Sequence, residues 1–344
     1  MNPSFQIKYK SILDRLETED AIELIKYHFP KVLSETLHLS KISSPIAIID
    51  GTGINDDLNG IERPVSFPVK SQQDKRAVVV HSLAKWKRWQ LKELSIPAGR
   101  GILTDMRALR PDEDYSPIHS LYVDQWDWEK HILPVDRNLA FLKQTVREIY
   151  KALIETELLI FEKFNDITPI LPQEITFVQA EDLLLQYPDL TPKEREQKIT
   201  QEHGAVFLIG IGGKLSHGEA HDGRAPDYDD WSTKTEEGYF GINGDILLWN
   251  PILEQSFEIS SMGIRVDAPA LAHQLKITHT EQREKLLFHK NLLAGNLTES
   301  IGGGIGQSRL CMFLLRKTHI GEVQAGIWPE EVIDSCRQSG INLM

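Results

Sequence analysis

The chain has 344 residues, of which 41% are hydrophobic, and this composition can supply one large core or two smaller ones. Acidic residues outnumber basic ones by 50 to 38, and the net charge of -12 opposes a broad contact with nucleic acid. No run approaches the roughly 18 apolar residues that span a bilayer, and the N-terminus lacks the apolar core of a signal peptide. We therefore expect a cytoplasmic protein with no membrane or nucleic-acid partner.

The first predicted helix begins near Thr18, which is a good N-cap residue. Pro30 falls inside this helix and predicts a kink. A strand is predicted at residues 45–49, and the loop at residues 50–60 is too rich in Gly, Asn and Asp for regular structure, so we expect it to be mobile. The apolar stripe of the helix consists of Ile22, Ile25, Phe29, Val32 and Leu33.

Further strands are predicted at residues 77–80, 101–104 and 121–128. In the last of these, Trp126 and Trp128 share one face, whereas Gln125 and Asp127 share the other. Strands that carry two tryptophans are seldom fully open to solvent. We therefore favour a functional role for the polar pair over simple exposure.

The second half of the chain predicts a long helix at residues 139–164 and strands at residues 205–209, 245–249 and 257–260. Residues 212–244 are crowded with Gly, His and Asp and predict a loop. No repeat or low-complexity linker divides the chain, so we expect one catalytic domain over residues 1–344. Its strands are mostly too close in sequence for repeated parallel crossovers.

Four glycines occupy five positions at residues 302–306, and Arg309 follows three residues later. Glycine permits close approach of the backbone to a ligand, and an apolar helix predicted at residues 310–315 would direct free N–H groups towards the same ligand. The guanidinium of Arg309 matches phosphate oxygens. The run predicts either a phosphate site or a glycine-rich turn that enters a core helix.

The apolar helix also contains Cys311, one of two cysteines in the chain, the other being Cys336. Two cysteines cannot form a disulfide framework or a structural zinc site. We expect Cys311 to be a buried thiol.

Arg110 lies between a predicted strand and a polar turn that contains Glu113. Pro45 precedes this pair, and the glycine run with Arg309 follows it. In this order the three patterns resemble the three motifs of class II aminoacyl-tRNA synthetases. The resemblance implies an α+β, class II aminoacyl-tRNA synthetase-like catalytic domain with a mostly antiparallel sheet flanked by helices, and a homodimer formed around the first motif.

Local patterns are similar to the aspartyl and asparaginyl branch of that superfamily. In those synthetases the matching patterns contain a substrate-binding lysine, a Gln-x-Asp strand, an acidic pair near the metal and an arginine near the substrate carboxylate. We expect no anticodon-binding domain, because no N-terminal module of sufficient length precedes the first motif. The matching positions are Lys87, Gln125, Asp127, Asp245, Glu258 and Arg265.

From about residue 20 to residue 330 the chain resembles the ammonia-dependent aspartate-ammonia ligases, the A-type asparagine synthetases. The resemblance implies synthesis of L-asparagine from L-aspartate, ammonia and ATP. The aspartate β-carboxylate would attack the α-phosphorus to give β-aspartyl-adenylate and pyrophosphate, and ammonia would then displace AMP. The segments that carry the resemblance are 55–60 (NDDLNG), 81–88 (HSLAKWKR), 108–114 (ALRPDED), 224–231 (RAPDYDDW), 260–265 (SSMGIR) and 302–309 (GGGIGQSR).

For the nucleotide, the resemblance implies that Arg110 holds the α-phosphate and Arg309 the terminal phosphates. Asp245 and Glu258 would share Mg²⁺, a hard ion that takes one or two protein carboxylates. The other positions assigned to ATP are His81, Glu113, Gly304 and Gly306.

For the amino acid, Lys87 and Arg265 suit the carboxylates, and Asp56 and Asp127 suit the α-ammonium group. Gln125 and Ser82 would orient the substrate, and His81 and Ser261 would border the adenosine or the anhydride. Which cation takes which carboxylate stays open, because activation of the β-carboxylate reverses the substrate relative to a synthetase.

Several of these residues also have plain structural interpretations. Asp56 could be a turn former and Lys87 a solvated helix residue, and the family pattern decides for function in both cases. The spacing of His217 and His221 suggests a metal site, which we disfavour because the loop contains no cysteine. Asp227, Asp229 and Asp230 predict a lid that admits or deprotonates ammonia.

The sequence is compatible with three functions. We favour the ligase because its family pattern covers most of the chain. A truncated synthetase paralogue that transfers an activated aspartyl group would favour a basic surface, and an inactive regulatory relative would have lost Arg110, Glu258 or Arg309, which are all present. Glutamine hydrolysis needs a nucleophile such as an N-terminal cysteine, but Asn2 follows Met1.

Overall fold

The computed structural model describes residues 9–56 and 62–344. Positions 57–60 of the predicted mobile loop lie outside the described residues. The helices are α1 (Arg15–Leu37), α2 (Ala84–Glu93), α3 (Leu139–Lys163), α4 (Ala180–Gln186), α5 (Pro192–His203), α6 (Ala268–Ile277), α7 (Leu287–Leu293), α8 (Gln307–Leu314) and α9 (Glu330–Gln338). The strands are β1 (Leu39–Lys41), β2 (Ala47–Ile49), β3 (Ser66–Val69), β4 (Lys75–Val79), β5 (Gly101–Leu109), β6 (Tyr122–His131), β7 (Thr176–Gln179), β8 (Ala205–Ile209), β9 (Asn243–Asn250), β10 (Gln255–Ile264) and β11 (Ser300–Gly306).

Eight strands form the main sheet in the order β1-β5-β6-β11-β10-β9-β8-β7. The pairs at the two edges, β1 with β5 and β7 with β8, are parallel. The inner pairs are antiparallel. This sheet with its flanking helices confirms the predicted α+β class and the mostly antiparallel pairing.

The N-terminal helix begins earlier than its apolar stripe suggested. Asp14 is the N-cap, since its carboxylate accepts the backbone N–H of Glu17 at 2.9 Å and Glu17 bonds back to the Asp14 N–H. The prediction of Thr18 as N-cap was therefore wrong: Thr18 lies inside the helix and its hydroxyl donates to the Asp14 carbonyl. The helix continues through Pro30 to Leu37.

The core lies between one face of the sheet and the long helices. Trp126 and Trp128 of β6 are buried in it, and the ring of Trp126 lies 4.9 Å from that of Phe29 in α1. Helix α3 covers residues 139–163, as predicted, and packs against α1. Because the tryptophans fill this face of β6, Gln125 and Asp127 face the opposite side, as their alternation predicted.

A smaller sheet in the order β2-β4-β3 was only partly predicted, since β3 carries no strong strand pattern. Helices α6 and α7 lie in the chain between β10 and β11. The loop predicted at residues 212–244 is largely irregular, with isolated bridges from Lys214 to Ala220 and from Lys234 to Phe240. Among the described helices, none is long and apolar enough to cross a membrane.

Candidate active site

A cavity of about 320 Å³ opens on the polar face of the central strands. Most of the residues predicted for the site line this cavity, although they come from distant segments of the chain. His81 and Asp245 are not among the lining residues. Those that do line it are Asp56, Ser82, Lys87, Arg110, Glu113, Gln125, Asp127, Glu258, Ser261, Arg265, Gly304, Gly306 and Arg309.

The register of the sheet explains how the polar side chains meet. Ser261 of β10 pairs with Asp245 of β9, but Glu258 pairs with Leu247, because the register shifts between Glu258 and Ser260. Side chains alternate along a strand, so Glu258 and Ser261, three residues apart, would otherwise face opposite sides. The bulge turns both towards the cavity side, as bulges beside active sites often do.

The glycine run is not a turn, as the sequence had suggested, but the central strand β11. It pairs with β10 on one side and β6 on the other. A Cβ at Gly304 would lie 2.6 Å from the Oε1 atom of Gln125, and one at Gly302 would overlap the carboxylate of Glu129. Gly302 and Gly304 therefore make room for polar side chains of β6.

At the N-terminus of α8, one backbone N–H group that was predicted to face a ligand already has a partner. Asp124 accepts the backbone N–H of Ser308 at 2.9 Å and pairs with Lys26 at 3.1 Å. A carboxylate thus already occupies the positive end of this helix. Arg309, in the first turn of α8, lines the cavity through its side chain.

At one end of the cavity lies a buried ion pair. The Lys87 Nζ donates to Asp127 Oδ1 at 2.6 Å and to the Gly303 carbonyl at 2.9 Å. Burial lowers the pKa of Lys87, and the nearby carboxylates of Asp127 and Glu129 oppose this effect. The second oxygen of Asp127 is buried and has no hydrogen-bond partner among the described residues, so it is available to a cationic ligand group.

Arg265 lies beside this pair and is held by two carboxylates. It bonds Glu129 through Nε at 3.0 Å and Nη2 at 2.8 Å, and its Nη1 contacts Asp229. Burial alone would lower its pKa, but the charges of Glu129 and Asp229 outweigh burial and raise the pKa of Arg265. Its guanidinium therefore stays charged and fixed in orientation, as recognition of a carboxylate requires.

Arg224 lies between Ser261 and Asp245, one of the two residues of the predicted acidic pair. Its guanidinium donates to Asp245 Oδ1 at 2.6 Å and to the hydroxyl of Ser261. Burial, and then the negative charge of Glu258, raise the pKa of Asp245 to about 6 in spite of Arg224. Two carboxylates that repel each other in this way fit a hard divalent cation. The described residues contain no group of three or more potential metal-binding side chains.

The other end of the cavity carries the two predicted phosphate-binding arginines. Arg110 donates to the carbonyl of His81 at 3.4 Å and lies 3.8 Å from Glu113. Its Nε is buried without a hydrogen-bond partner among residues 9–56 and 62–344. Arg309 donates to the carbonyl of Glu258 at 3.2 Å. Both arginines therefore retain donors for an anionic ligand.

His119 lies at this end and was not predicted. Burial and the charges of Arg309 and Arg110 lower the pKa of His119 to about 4, although Glu258 opposes them. Its Nδ1 lies 2.8 Å from the hydroxyl of Ser116. The ring is therefore neutral near pH 7 and presents a flat, uncharged surface in the cavity.

Sequence reasoning also missed other residues, and the signal was weak for most of them. Arg224 stands in a segment that carries the family resemblance, so that segment could have identified it. Glu129 follows the alternation of Gln125 and Asp127 on β6, which gave a usable signal. The unassigned residues that line or support the cavity are Ser120, Asp124, Glu129, Arg224 and Tyr228.

The predicted lid is a set of fixed, buried carboxylates. Asp227 pairs with Lys85 at 2.8 Å and contacts His289 at 2.9 Å, and in spite of burial the Lys85 charge and the His289 hydrogen bond hold the pKa of Asp227 far below its usual range. Asp230 pairs with Arg137 at 2.7 Å. Of the three acidic residues, Asp229 lines the cavity.

The histidine pair in the 212–244 loop does not converge on a shared ligand. His221 is buried, and its Nε2 lies 3.1 Å from Glu196 in α5. His217 is exposed. This geometry fits a structural role for His221.

Known proteins match this sequence over almost its full length. The family model described as aspartate-ammonia ligase matches residues 16–340. The chain belongs to the aspartate-ammonia ligase family. The aspartate–ammonia ligase of Parabacteroides distasonis is 55% identical over 336 residues, which are 98% of this chain and 97% of that protein. The enzyme of the same name from Clostridium perfringens is 52% identical over the same shares.

Solved structures show the fold that this ligase family shares with synthetases. Entamoeba histolytica asparaginyl-tRNA synthetase in complex with asparaginyl-adenylate matches with a TM-score of 0.65 at 13% identity, over 90% of this chain and 66% of that one. The asparaginyl-tRNA synthetase from Pyrococcus horikoshii complexed with asparaginyl-adenylate gives 0.63 at 15% identity, over 91% and 70%. The expected class II fold is therefore confirmed.

Proposed function

We propose that the protein makes L-asparagine from L-aspartate, ammonia and ATP through β-aspartyl-adenylate, and releases AMP and pyrophosphate. The observation that carries the proposal is a single cavity with buried, paired charges at one end and two arginines at the other, of which Arg110 has a buried Nε without a hydrogen-bond partner among the described residues. The first set suits an amino acid and the second a polyphosphate. The relatives at 52–55% identity bear the name of this reaction.

An adenylate is the intermediate that the fold supports. A carboxylate is a poor acylating agent at neutral pH, so it has to receive a leaving group before an amine can attack it. Attack of the β-carboxylate oxygen on the α-phosphorus expels pyrophosphate, and ammonia then attacks the β-carbonyl and expels AMP. Positioning of the reactants and neutralisation of phosphate charge supply most of the catalysis in such a transfer.

At the amino-acid end we assign recognition of the two carboxylates to Lys87 and Arg265. The open Oδ2 of Asp127 would accept the α-ammonium group, together with Asp56, which also lines the cavity. Gln125 lies on the same strand face as Asp127 and would orient the substrate, together with Ser82 and Ser261.

At the nucleotide end we assign the α-phosphate to Arg110 and the terminal phosphates to Arg309. Glu113 lines the cavity beside Arg110, and His81 lies behind it. Gly306 allows the stem of Arg309 to pack against the backbone, because a Cβ there would lie 3.1 Å from the Cβ of Arg309. Gly304, two residues earlier on the same strand, leaves room for Gln125 and Asp127.

Asp245 and Glu258 would hold Mg²⁺. When bound, the ion supplies charge neutralisation for the phosphates. Burial, and then the negative charge of Glu258, raise the pKa of Asp245, and this supports the assignment because a cation held by the two carboxylates would stabilise their charged forms.

We further infer a cytoplasmic homodimer that works without a nucleic-acid partner. The net charge of -12 and the match to ligases over 97% of their length both favour a free amino acid as the substrate over a tRNA. The alternative of a truncated synthetase paralogue has no such support.

A product assay tests the proposal. Purified protein with aspartate, ATP, Mg²⁺ and ammonium should yield asparagine, AMP and pyrophosphate in equal amounts, measured by chromatography. Glutamine at matched concentration should support little synthesis, because both cysteines are buried and burial raises the pKa of Cys311 to about 12. Formation of ADP and phosphate would overturn the adenylate route.

A further inference from the structure

The segment that follows α8, residues 317–328, lies against the nucleotide end of the cavity, and we name it the C-terminal strap. Two of its side chains, Ile320 and Gln324, line the cavity. Gln324 is buried, with 4% of its surface exposed. Nothing in the proposed chemistry uses this amide.

The Gln324 amide joins the two elements that carry the phosphate-binding arginines. Its Oε1 accepts the hydroxyl of Ser120 at 2.5 Å, and its Nε2 donates to the hydroxyl of Ser308 at 3.0 Å. Ser120 belongs to the 110–121 loop, which begins with Arg110. Ser308 directly precedes Arg309 in α8.

The strap is itself held at several points. The N–H of Ile320 donates to the carbonyl of Pro117 at 2.7 Å, and the ring of Trp328 lies 5.7 Å from that of Tyr115. Both partners belong to the 110–121 loop. Glu322 fixes the other side, because it accepts the backbone N–H of Thr318 at 2.9 Å and the hydroxyl of Tyr9 at 3.0 Å. The amide thus extends from a supported backbone.

We propose that Gln324 is a positioning residue for ATP, which sets the spacing between Arg110 and Arg309 through Ser120 and Ser308. The inference rests on the proposed function, since it assigns the phosphates to these two arginines. Loss of the amide would let the loop and the helix move independently. Recognition of the amino acid, by β6 and α2, would stay intact.

The test compares Gln324→Met, which keeps the length of the side chain, with the double variant Ser120→Ala/Ser308→Ala. Each removes the bridge, and we expect KM for ATP to rise about tenfold, since such a factor corresponds to the loss of one or two buried hydrogen bonds. KM for aspartate should change less than twofold. Gln144→Met is the matched control, because Gln144 bonds Glu148 on the exposed side of α3 at 3.0 Å.

The triple variant separates positioning from direct contact. If Gln324 acts through the serines, then Gln324→Met should raise KM for ATP less than twofold further when both serines are already alanine. An unchanged KM for ATP, equal rises in both KM values, or a full additional tenfold rise in the triple variant would each overturn the proposal.

Failure of the Gln324 inference can be distinguished from failure of the proposed function. If the wild type makes no asparagine, the proposed function fails. The inference is then tested by measuring the affinity for ATP by calorimetric titration. The same tenfold weakening in Gln324→Met supports it, and equal affinity refutes it. If Gln324→Met does not fold by circular dichroism, the double serine variant, which removes two small hydroxyls, decides the question alone.

Discussion

At the scale of single residues, the glycines of β11 leave room for the side chains that line the cavity. A Cβ at Gly304 would lie 2.6 Å from Gln125 and 3.0 Å from Asp127, whereas a Cβ at Gly306 would meet the side chain of Arg309 first. Two neighbouring glycines on one strand therefore protect different ends of the cavity.

We expect Gly304→Ala and Gly306→Ala to have different kinetic effects. Gly304→Ala should raise KM for aspartate about tenfold or more, because the displaced Gln125 and Asp127 no longer hold the substrate. Gly306→Ala should instead raise KM for ATP, because Arg309 has to move. Steady-state kinetics with each substrate varied measures both, and the same pattern in the two variants would contradict the assignment.

Glu258→Gln tests the acidic pair. The change keeps the shape of the side chain but removes a negative charge, so ATP–pyrophosphate exchange dependent on aspartate should fall by about a hundredfold or more. Stability should change little. Glu254→Gln, on the exposed turn between β9 and β10, is the control. A Glu258→Gln enzyme with normal exchange and an unchanged magnesium dependence would exclude the metal role.

The sequence could identify residues whose type is unusual for their position, such as the arginines of the motifs. It could not identify Arg224 as a partner of Asp245 and Ser261, since that contact joins a loop to two strands. It also did not predict that the glycine run forms a strand, because clearance for a neighbouring side chain and a flexible turn require the same residue type. Only the register of β11 against β6 distinguishes them.

Among the secondary-structure elements, the helices and strands with a regular apolar pattern were the most predictable. Helix α3 and strand β8 follow from strong apolar periodicity, and their observed bounds agree with the prediction to within one residue. The bulge in β10 was not predictable, since the residues at the register shift, Glu258 to Ser260, carry no sequence pattern that indicates a bulge. The cap of α1 was missed because the capping box lies ahead of the apolar stripe.

The C-terminal strap should make folding stability depend on pH. Burial lowers the pKa of His319 to about 4, whereas an unfolded histidine titrates near 6.5, so the unfolded state binds more protons between these values. The stability from this group is present above pH 6.5 and is lost as the pH falls towards 4. Protonation also removes the acceptor that Nδ1 offers to the N–H of Gly321 at 3.0 Å.

We expect His319→Asn, which keeps an acceptor but cannot be protonated, to weaken this dependence. Between pH 7 and pH 4.5 the variant should lose about 2 kcal/mol less unfolding free energy than the wild type. Urea denaturation at fixed protein concentration measures it. Parallel pH profiles of the two proteins would show that His319 does not carry the effect.

For the whole molecule, topology explains why distant segments form one site. Strands β6, β10 and β11 are neighbours in the sheet although β6 lies more than a hundred residues before the other two. Sequence order alone cannot predict that these strands are neighbours. The resemblance to a known family implied that their residues form one site, and its ordered motifs identified most of the residues that line the cavity.

The last prediction concerns assembly. Ile46, next to the first motif, is 64% exposed, and Leu16 and Tyr27, three turns apart on one stripe of α1, are 77% and 71% exposed. Such exposed apolar side chains, on α1 and next to Pro45, support the proposed two-fold contact.

Light scattering at micromolar concentration should therefore give twice the chain mass of 39.2 kDa for the wild type. Ile46→Asp places a charge in the contact and should shift the mass towards the monomer, because burial of an unpaired carboxylate is costly. Leu185→Asp is the matched control, since Leu185 is similarly exposed, at 66%, but lies on α4. A monomeric wild type would refute the dimer. Equal dissociation by both variants would place the contact elsewhere.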